Sequence, residues 1–255
     1  MRSVRGTLHE RAYKTDAFVL RGRNLGEADK IFTLFTRARG KIDAVAKGVR
    51  RIKSQNAGRL EFLTEASLTM HAGRSLDVIT GASILHSEWE GIVEPSTFAT
   101  ANVVAELIDA FCEPDLAQTE IYDLLRGVVH ALVSVQRPPE LLPRFELRLL
   151  DVLGILPSMD VCVRCGESLE GAREAWLDPS AGGLVCGACH SGGDAGKLEG
   201  NEIENIHALA IPPAQRGATT FALPSVARAV DALLVYHLGK RAKASAFLEE
   251  MAHGR

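Results

Sequence analysis

Four cysteines carry the plainest chemistry in the sequence: Cys162 and Cys165, then Cys186 and Cys189. Each pair has Cys-x-x-Cys spacing, and twenty residues separate the pairs. A short knuckle turn brings the two sulfurs of a pair together. Twenty residues suffice for a hairpin that carries the second pair back to the first. Four soft thiolates suit Zn²⁺, which accepts them tetrahedrally and has no d-electron preference. The expectation is one Zn²⁺ per chain. Two disulfides, or a redox Cys-x-x-Cys, are the weaker readings, because nothing else in the chain looks secreted or thioredoxin-like. A four-sulfur site leaves no position for a water nucleophile, so it stabilises structure and does not suggest hydrolysis.

Other catalytic signatures are missing. Gly196-Lys197 resembles the end of a P-loop, but Ser191 stands where the earlier glycine belongs and Leu198 where a Mg²⁺-binding hydroxyl belongs. His9-Glu10 would begin a His-Glu-x-x-His motif, but Tyr13 occupies the second histidine position. No Gly-x-Ser-x-Gly elbow appears. The eight histidines are not grouped at metal or triad spacing. The chain therefore reads as a binding protein and not an enzyme.

Its charge points to a partner. The net charge of −3 over 255 residues hides a sharp asymmetry. Residues 1–80 hold 16 Lys+Arg against 8 Asp+Glu, a balance of +8, and residues 81–255 hold 13 against 24, a balance of −11. Seven cations, from Arg37 to Lys53, fall within seventeen residues. Such a cluster predicts a polyanionic partner for the first part of the chain. No apolar run approaches the ~18 residues of a membrane span, and the basic start lacks a signal-peptide core. A reducing cytoplasm is expected.

The elements that must position these groups follow from periodicity. Residues 1–14 read as a basic arm. Ala17–Arg21, Asp29–Thr36 and Lys41–Lys47 read as strands, with turns at 24–28 and 39–40. Alternation on the third strand sends Ile42, Ala44 and Ala46 inward. A basic loop follows, then strands over Leu60–His71 and Leu76–Leu85, broken at Gly73. Five short strands in about 70 residues predict a closed barrel, most often an OB-fold, with an SH3-like barrel second. Phe32 and Phe35 are expected to fill the barrel rather than to stack on bases.

Beyond Trp89 the period becomes helical. Pro95-Ser96-Thr97 predicts a helix start capped by hydroxyls. Val104, Ile108 and Cys112 follow on one face, which makes Cys112 a core residue. Ile121 to Val135 mark a second helix, stopped by Arg137-Pro138-Pro139. Leu142 to Val152 mark a third, with Arg144, Arg148 and Asp151 on its wet side. Inside the metal loop, Trp176-Leu177 and Leu184-Val185 are the arms of a hairpin, and residues 191–196 are a flexible exit. A short helix over Ile203–Leu209, a loop over residues 212–220 and a last helix from Val226 complete the chain, with His237 on that helix's apolar face. The expected fold class is α+β. An N-terminal five-stranded OB-fold barrel (residues 1–80) precedes a mainly α-helical domain (81–255) carrying the four-cysteine zinc module at about 160–191.

From the residues alone, three functions stay open. They are a DNA-binding protein, an RNA-binding OB-fold protein with a zinc ribbon, and a non-catalytic interaction scaffold. Candidate phosphate-binding residues are Arg21, Arg23, Lys30, Arg37, Arg39, Lys41, Lys47, Arg50, Arg51 and Lys53.

A family resemblance narrows the choice. Phe18-Val19-Leu20, Gly26-Glu27-Ala28-Asp29, Leu34-Phe35-Thr36-Arg37 and Gly40-Lys41 are similar to the N-terminal signature of bacterial RecO recombination mediators. So are Ala46-Lys47-Gly48-Val49-Arg50-Arg51 with Lys53-Ser54 and, near the end, Tyr236-His237-Leu238-Gly239 and Phe247-Leu248. One departure is Lys243-Ala244-Ser245, where the family pattern has Lys-Ser-Arg. The resemblance implies binding of single- and double-stranded DNA and annealing of complementary strands. It implies RecR and the C-terminal tail of single-stranded DNA-binding protein as partners, and loading of RecA recombinase onto DNA coated by that protein. It also implies a cytoplasmic, nucleoid-associated location. Many members lack the cysteines, which assigns the metal to folding.

Overall fold

The computed structural model describes residues 12–134, 140–192, 196–210 and 223–252. The expected basic arm before residue 12, the Arg137-Pro138-Pro139 stop, the middle of the 191–196 exit and the 212–220 loop lie outside the described residues. The chain divides into two compact units, Met1–Val129 and His130–Arg255.

The first unit is built on a closed barrel of β1 (Ala12–Leu25), β2 (Asp29–Thr36), β3 (Gly40–Ala46), β4 (Glu65–His71) and β5 (Asp77–His86), in the order β1-β2-β3-β5-β4. Neighbours are antiparallel except β3 and β5, which pair in parallel at Ala44↔Asp77 and Val45↔Val78. This is the OB-type five-stranded arrangement. Phe32, Leu34, Ile42, Ala44, Ala46, Leu68 and Met70 fill its interior. The inward set on β3 is the one its alternation predicts.

β1 is longer than its hydrophobic run. Ala12–Lys14, expected in the arm, pair with Thr69–His71, and Asn24-Leu25, expected in the turn, pair with Asp29-Lys30. Long-range backbone pairing imposes strand here where the side chains carry no period. Leu20 is a bulge: Val19 faces Leu34 but Arg21 faces Thr33. The expected strand from Leu60 starts only at Glu65. Residues Ala57–Arg59 form a 3-10 turn, and Leu63 sits at φ 54, outside the strand region. Two hydrogen bonds fix that kink: the Leu63 amide donates to the Val19 carbonyl (2.8 Å) and the Val19 amide to the Thr64 carbonyl (3.2 Å).

Helices α1 (Trp89–Ile92), α2 (Pro95–Phe111) and all but the last turn of α3 (Thr119–Leu132) complete this unit. The start of α2 is where the sequence placed it, but the cap is Glu94. Its carboxylate accepts from the Ser96 (3.1 Å) and Thr97 (2.8 Å) amides, while both hydroxyls donate to it instead of capping. The Ser96 hydroxyl leads the set of donors that pulls this carboxyl down to about 2. Cys112 is a core residue at the end of α2, its thiol pushed up to about 12 by burial. Phe35 does not fill the barrel. On a strand of period two it points the opposite way from Phe32 and Leu34. It is fully buried outside the barrel, its ring 6.2 Å from that of Tyr122 on α3, which also meets Phe18 at 5.2 Å.

The second unit holds α4 (Leu141–Val152), β6 (Glu174–Asp178), β7 (Gly183–Val185), β8 (Lys197–Glu199), α5 (Gly200–Ala210), α6 (Leu223–Leu238) and α7 (Lys243–Ala252). The metal-loop hairpin pairs as its sequence predicts, Trp176 with Val185 and Leu177 with Leu184. A third strand, β8, extends it on the other edge of β6. α4 has a narrower wet side than expected: Arg144 is half-buried beside Glu140, and Glu146 is buried. His237 is exposed, its ring edge-on to that of Tyr236 at 5.4 Å. Val226, Val230 and Leu233 form its buried face.

Candidate nucleic-acid interface and metal centre

The ten candidate cations are all in the first unit, and the structure sorts them into two groups. Arg21, Arg37, Arg39 and Lys41 are engaged by carboxylates of the same unit. Arg21 Nε donates to Thr33 Oγ1 (3.1 Å), and its guanidinium lies 3.3 Å from Asp109 of α2. Lys41 Nζ pairs with Asp109 (3.3 Å) and also meets that residue's carbonyl. Arg37 makes a two-pronged pair with Asp123 of α3 (2.7 and 3.2 Å), its guanidinium over the Tyr122 ring. Arg39 holds Asp77 (2.8 Å) and Asp115, and donates to the Tyr13 hydroxyl (2.9 Å).

The segment following α2 is drawn onto the β2–β3 turn by its backbone too. The Asp115 amide donates to the Lys41 carbonyl (3.0 Å). Gly40, at φ +65, has the Leu116 carbonyl oxygen 1.9 Å from where a Cβ would stand, so only glycine permits the approach. The Asp77 carboxyl feels burial, which raises it, but hydrogen bonds from Tyr13, the Gly73 amide and Arg39 outweigh that and hold it below the ordinary carboxylate range. Burial first, and then Asp77, push the Tyr13 phenol up to about 12. A polar cavity of about 270 Å³ between Arg21, Arg39, Lys41, Asp43, Asp77 and Asp109 is thus lined by charges that already have partners.

The other six cations, Arg23, Lys30, Lys47, Arg50, Arg51 and Lys53, make no ion pair among the described residues. They flank two loops, β1–β2 (26–28) and β3–β4 (47–64), that are stitched together. The Gly48 amide donates to Asp29 Oδ1 (2.7 Å), the Arg50 amide to the Ala28 carbonyl (2.9 Å) and Arg50 Nη1 to the Gly26 carbonyl (3.1 Å). Gly48, at φ +65, makes the sharp exit from β3. Arg23, Lys47, Arg50, Arg51 and Lys53 are exposed, and Lys30 is half-buried. The loops of an OB barrel are where it meets oligonucleotides. Phe32 and Phe35 are both buried, so neither is presented to bases.

A feature outside the sequence reading is Glu65. It is fully buried at the start of β4, accepts from the Tyr122 hydroxyl (2.8 Å) and from Arg126 Nε (3.1 Å), and pairs with the Arg126 guanidinium. A buried carboxylate needs such partners. No spacing rule links residues 65, 122 and 126 in advance.

In the second unit the cysteine quartet comes together. Its four sulfurs all lie within 4.8 Å of one another, and Cys165 Sγ and Cys186 Sγ are 3.7 Å apart. Metal–sulfur bonds of ~2.3 Å in a tetrahedron put sulfurs about 3.8 Å apart, against ~2.05 Å in a disulfide. All four are free thiols, and their spacing fits a metal. The Cys186 amide donates to Cys162 Sγ (3.3 Å) and leads the backbone N–H groups that pull this thiol down to about 6. Hydrogen bonds to Cys165 and Cys186 push the Cys189 thiol up.

The knuckles are held by the hairpin. The Val163 amide donates to the Leu184 carbonyl (2.9 Å), and Arg164 bridges the Cys189 carbonyl (3.2 Å) and Asp178 (2.9 Å). A Cβ on Gly183 would stand 2.3 Å from the Ser158 carbonyl oxygen, so glycine is required where the first knuckle's lead-in crosses β7. Trp176 stacks on His190, next to the last cysteine, with ring centroids 4.4 Å apart.

An OB-type barrel with a cationic loop face, followed in the chain by helices and a four-cysteine ribbon, defines the class: an oligonucleotide-barrel protein with an appended four-cysteine module that could hold a metal ion. The chain belongs to the RecO family of recombination and DNA repair proteins. The family's Recombination protein O N terminal model matches residues 11–88, and its Recombination protein O C terminal model matches residues 94–246. A DNA repair protein RecO from Nocardioides sp. is 37% identical over 93% of this chain and 99% of its own length. That of Symbiobacterium thermophilum is 31% identical over 95% and 99%, and that of Bifidobacterium adolescentis 39% identical over 70% and 74%. Membership supports a role in DNA repair and recombination. No helix among the described residues is long and apolar enough to cross a membrane.

Proposed function

We propose that this protein binds single- and double-stranded DNA through the joined β1–β2 and β3–β4 loops of its barrel, within residues 1–80. The observation that carries this is the division of the cations. Those facing α2, α3 and the segment between them are neutralised by aspartates, while Arg23, Lys30, Lys47, Arg50, Arg51 and Lys53 keep their charge for an outside anion. Bound there, two strands are screened from each other while their bases stay free to pair. Annealing needs no acid, base or nucleophile. Family membership supports the finer reading: a recombination mediator that engages RecR and the C-terminal tail of single-stranded DNA-binding protein and helps load RecA recombinase onto DNA coated by that protein, in the cytoplasm at the nucleoid.

The cysteines would hold one Zn²⁺, whose contribution is structural: it ties two knuckles to a three-stranded sheet and supplies folding energy.

Salt-dependent binding tests the proposal. Each phosphate contact on single-stranded DNA contributes about 0.7 to the slope of log K against log[salt]. Replacing Lys47, Arg50, Arg51 and Lys53 by Gln is expected to lower the slope by up to ~2.8 and to abolish annealing in a folded protein. An unchanged slope refutes the assignment. Parallel titration with single-stranded RNA separates the RNA-binding alternative, which a strong RNA preference would favour.

A further inference from the structure

Ile52 is the most exposed large apolar side chain among those described, at 105% of its reference area. It sits in the middle of the cationic run Arg50-Arg51-Ile52-Lys53. The turn that carries it is closed, because the Ser54 amide donates to the Arg51 carbonyl (2.9 Å), which makes Ile52 and Lys53 its two central residues. The turn's base is fixed as well. The Arg51 amide donates to the Gly48 carbonyl (3.1 Å), and Arg50 is bonded to the β1–β2 loop through both its amide and its guanidinium. The side chain is therefore held out from an anchored support. Leu25, 42% exposed at the end of β1, stands beside the other loop of the stitched pair.

We infer that Ile52 is an apolar wedge that inserts against or between the bases of DNA held by the flanking cations. This rests on the loop assignment above and adds a contact of different chemistry. Arginine and lysine on either side would hold phosphates, which fixes the backbone but carries no grip on the bases. Branched aliphatic side chains serve other DNA-binding proteins as wedges that unstack a base step. With Phe32 and Phe35 buried, the barrel offers no aromatic platform on β2; of its exposed apolar side chains, which include Leu25, Ile84 and Leu85, Ile52 is the one set within the cationic run. A wedge contacts every base alike, so it suits sequence-indifferent annealing. By interrupting stacking in a bound single strand it would leave bases open to a complementary strand.

The test uses the full-length protein and single-stranded DNA carrying 2-aminopurine, whose fluorescence rises when it is unstacked. Wild type is expected to raise the signal on binding. Ile52→Ala is expected to bind about tenfold more weakly, the loss from leaving an isoleucine side chain unburied, with the salt slope unchanged and the fluorescence rise lost. Ile52→Leu is expected to restore most of both. If the loop-cation variant above lowers the slope while Ile52→Ala leaves affinity and fluorescence at wild-type levels, the wedge is wrong and the DNA face stands. If the loop-cation variant leaves the slope unchanged, the DNA face itself is wrong.

Discussion

Arg39 separates two uses of the same charge, and its removal gives opposite results under each. It bonds Asp77, Asp115 and the Tyr13 hydroxyl, and all four residues belong to the first unit. Consider Arg39→Met, which keeps much of the aliphatic stem. Asp77, with its side chain only 14% exposed, loses its cation but keeps the Tyr13 hydroxyl and the Gly73 amide (3.1 Å). A charge-assisted hydrogen bond contributes about 1.5–3 kcal/mol when buried. The Arg39 side chain is 42% exposed, so solvent screening lowers that to about 1–2 kcal/mol. The Asp115 pair, at 61% exposure on the acidic side, adds about 0–1 kcal/mol. The expected loss is thus about 1–3 kcal/mol of stability, with the salt slope for DNA binding unchanged. Urea denaturation at pH 7 measures the first, and fluorescence anisotropy across a salt series measures the second.

The pH dependence fixes the mechanism. The folded Asp77 carboxyl lies below its ordinary value, so its stabilisation is present above the unfolded carboxylate range and is lost as pH falls through the folded value. The difference between wild type and Arg39→Met should therefore be full at pH 7 and should shrink as acid protonates Asp77. A variant as stable as wild type at pH 7 but with a reduced salt slope would overturn the reasoning and place Arg39 on phosphate.

Three further outcomes follow from the structure. Cys162→Ser, or chelation of the wild type, is expected to destabilise the second unit by several kcal/mol, on the order of the folding energy a structural zinc supplies. The shift should be reported by red-shifted fluorescence of Trp176, which stacks on His190 beside the quartet, with the DNA salt slope unaltered. Tyr122→Phe removes a hydrogen bond to the fully buried Glu65 and should cost about 1–3 kcal/mol in chemical denaturation. Arg126→Met, which takes away the cation, should cost more, about 2–4 kcal/mol, the buried-pair range lowered by screening because the Arg126 side chain is 43% exposed. Glu146 is held up to about 8 by burial and then by Asp231. In this case the folded state keeps a proton that the unfolded state has released, so stability should fall as pH rises from about 4.3 towards 8. Glu146→Gln should flatten that slope and gain at least about 1 kcal/mol over wild type near pH 8, readable from denaturation midpoints across pH.

Much of this protein is legible in its sequence because the relevant forces are local or periodic. The two Cys-x-x-Cys pairs specify by spacing alone a quartet whose sulfurs come together and could hold a metal ion. Strand β2 follows from its β-branched and aromatic run and the inward set of β3 from alternation, and the starts of α2 and α4 follow from proline and the helical period. Parity on β2 places Phe35 on the opposite face from Phe32. What the sequence left undecided depends partly on groups far apart in the chain and partly on a choice among near neighbours. The ends of β1 are strand because β4 and β2 supply backbone partners. Glu94, not the hydroxyls after it, caps α2, since a carboxylate can collect several donors at once.

The site shows the same division. Composition marks residues 37–53 as basic but cannot say which charges have carboxylate partners. That depended on Asp109, Asp115 and Asp123, some 70 to 90 residues later in the chain, being brought against Arg21, Arg37, Arg39 and Lys41. A charge run records only how many cations exist. Coulomb energy falls off with distance in space, and only the folded chain sets those distances.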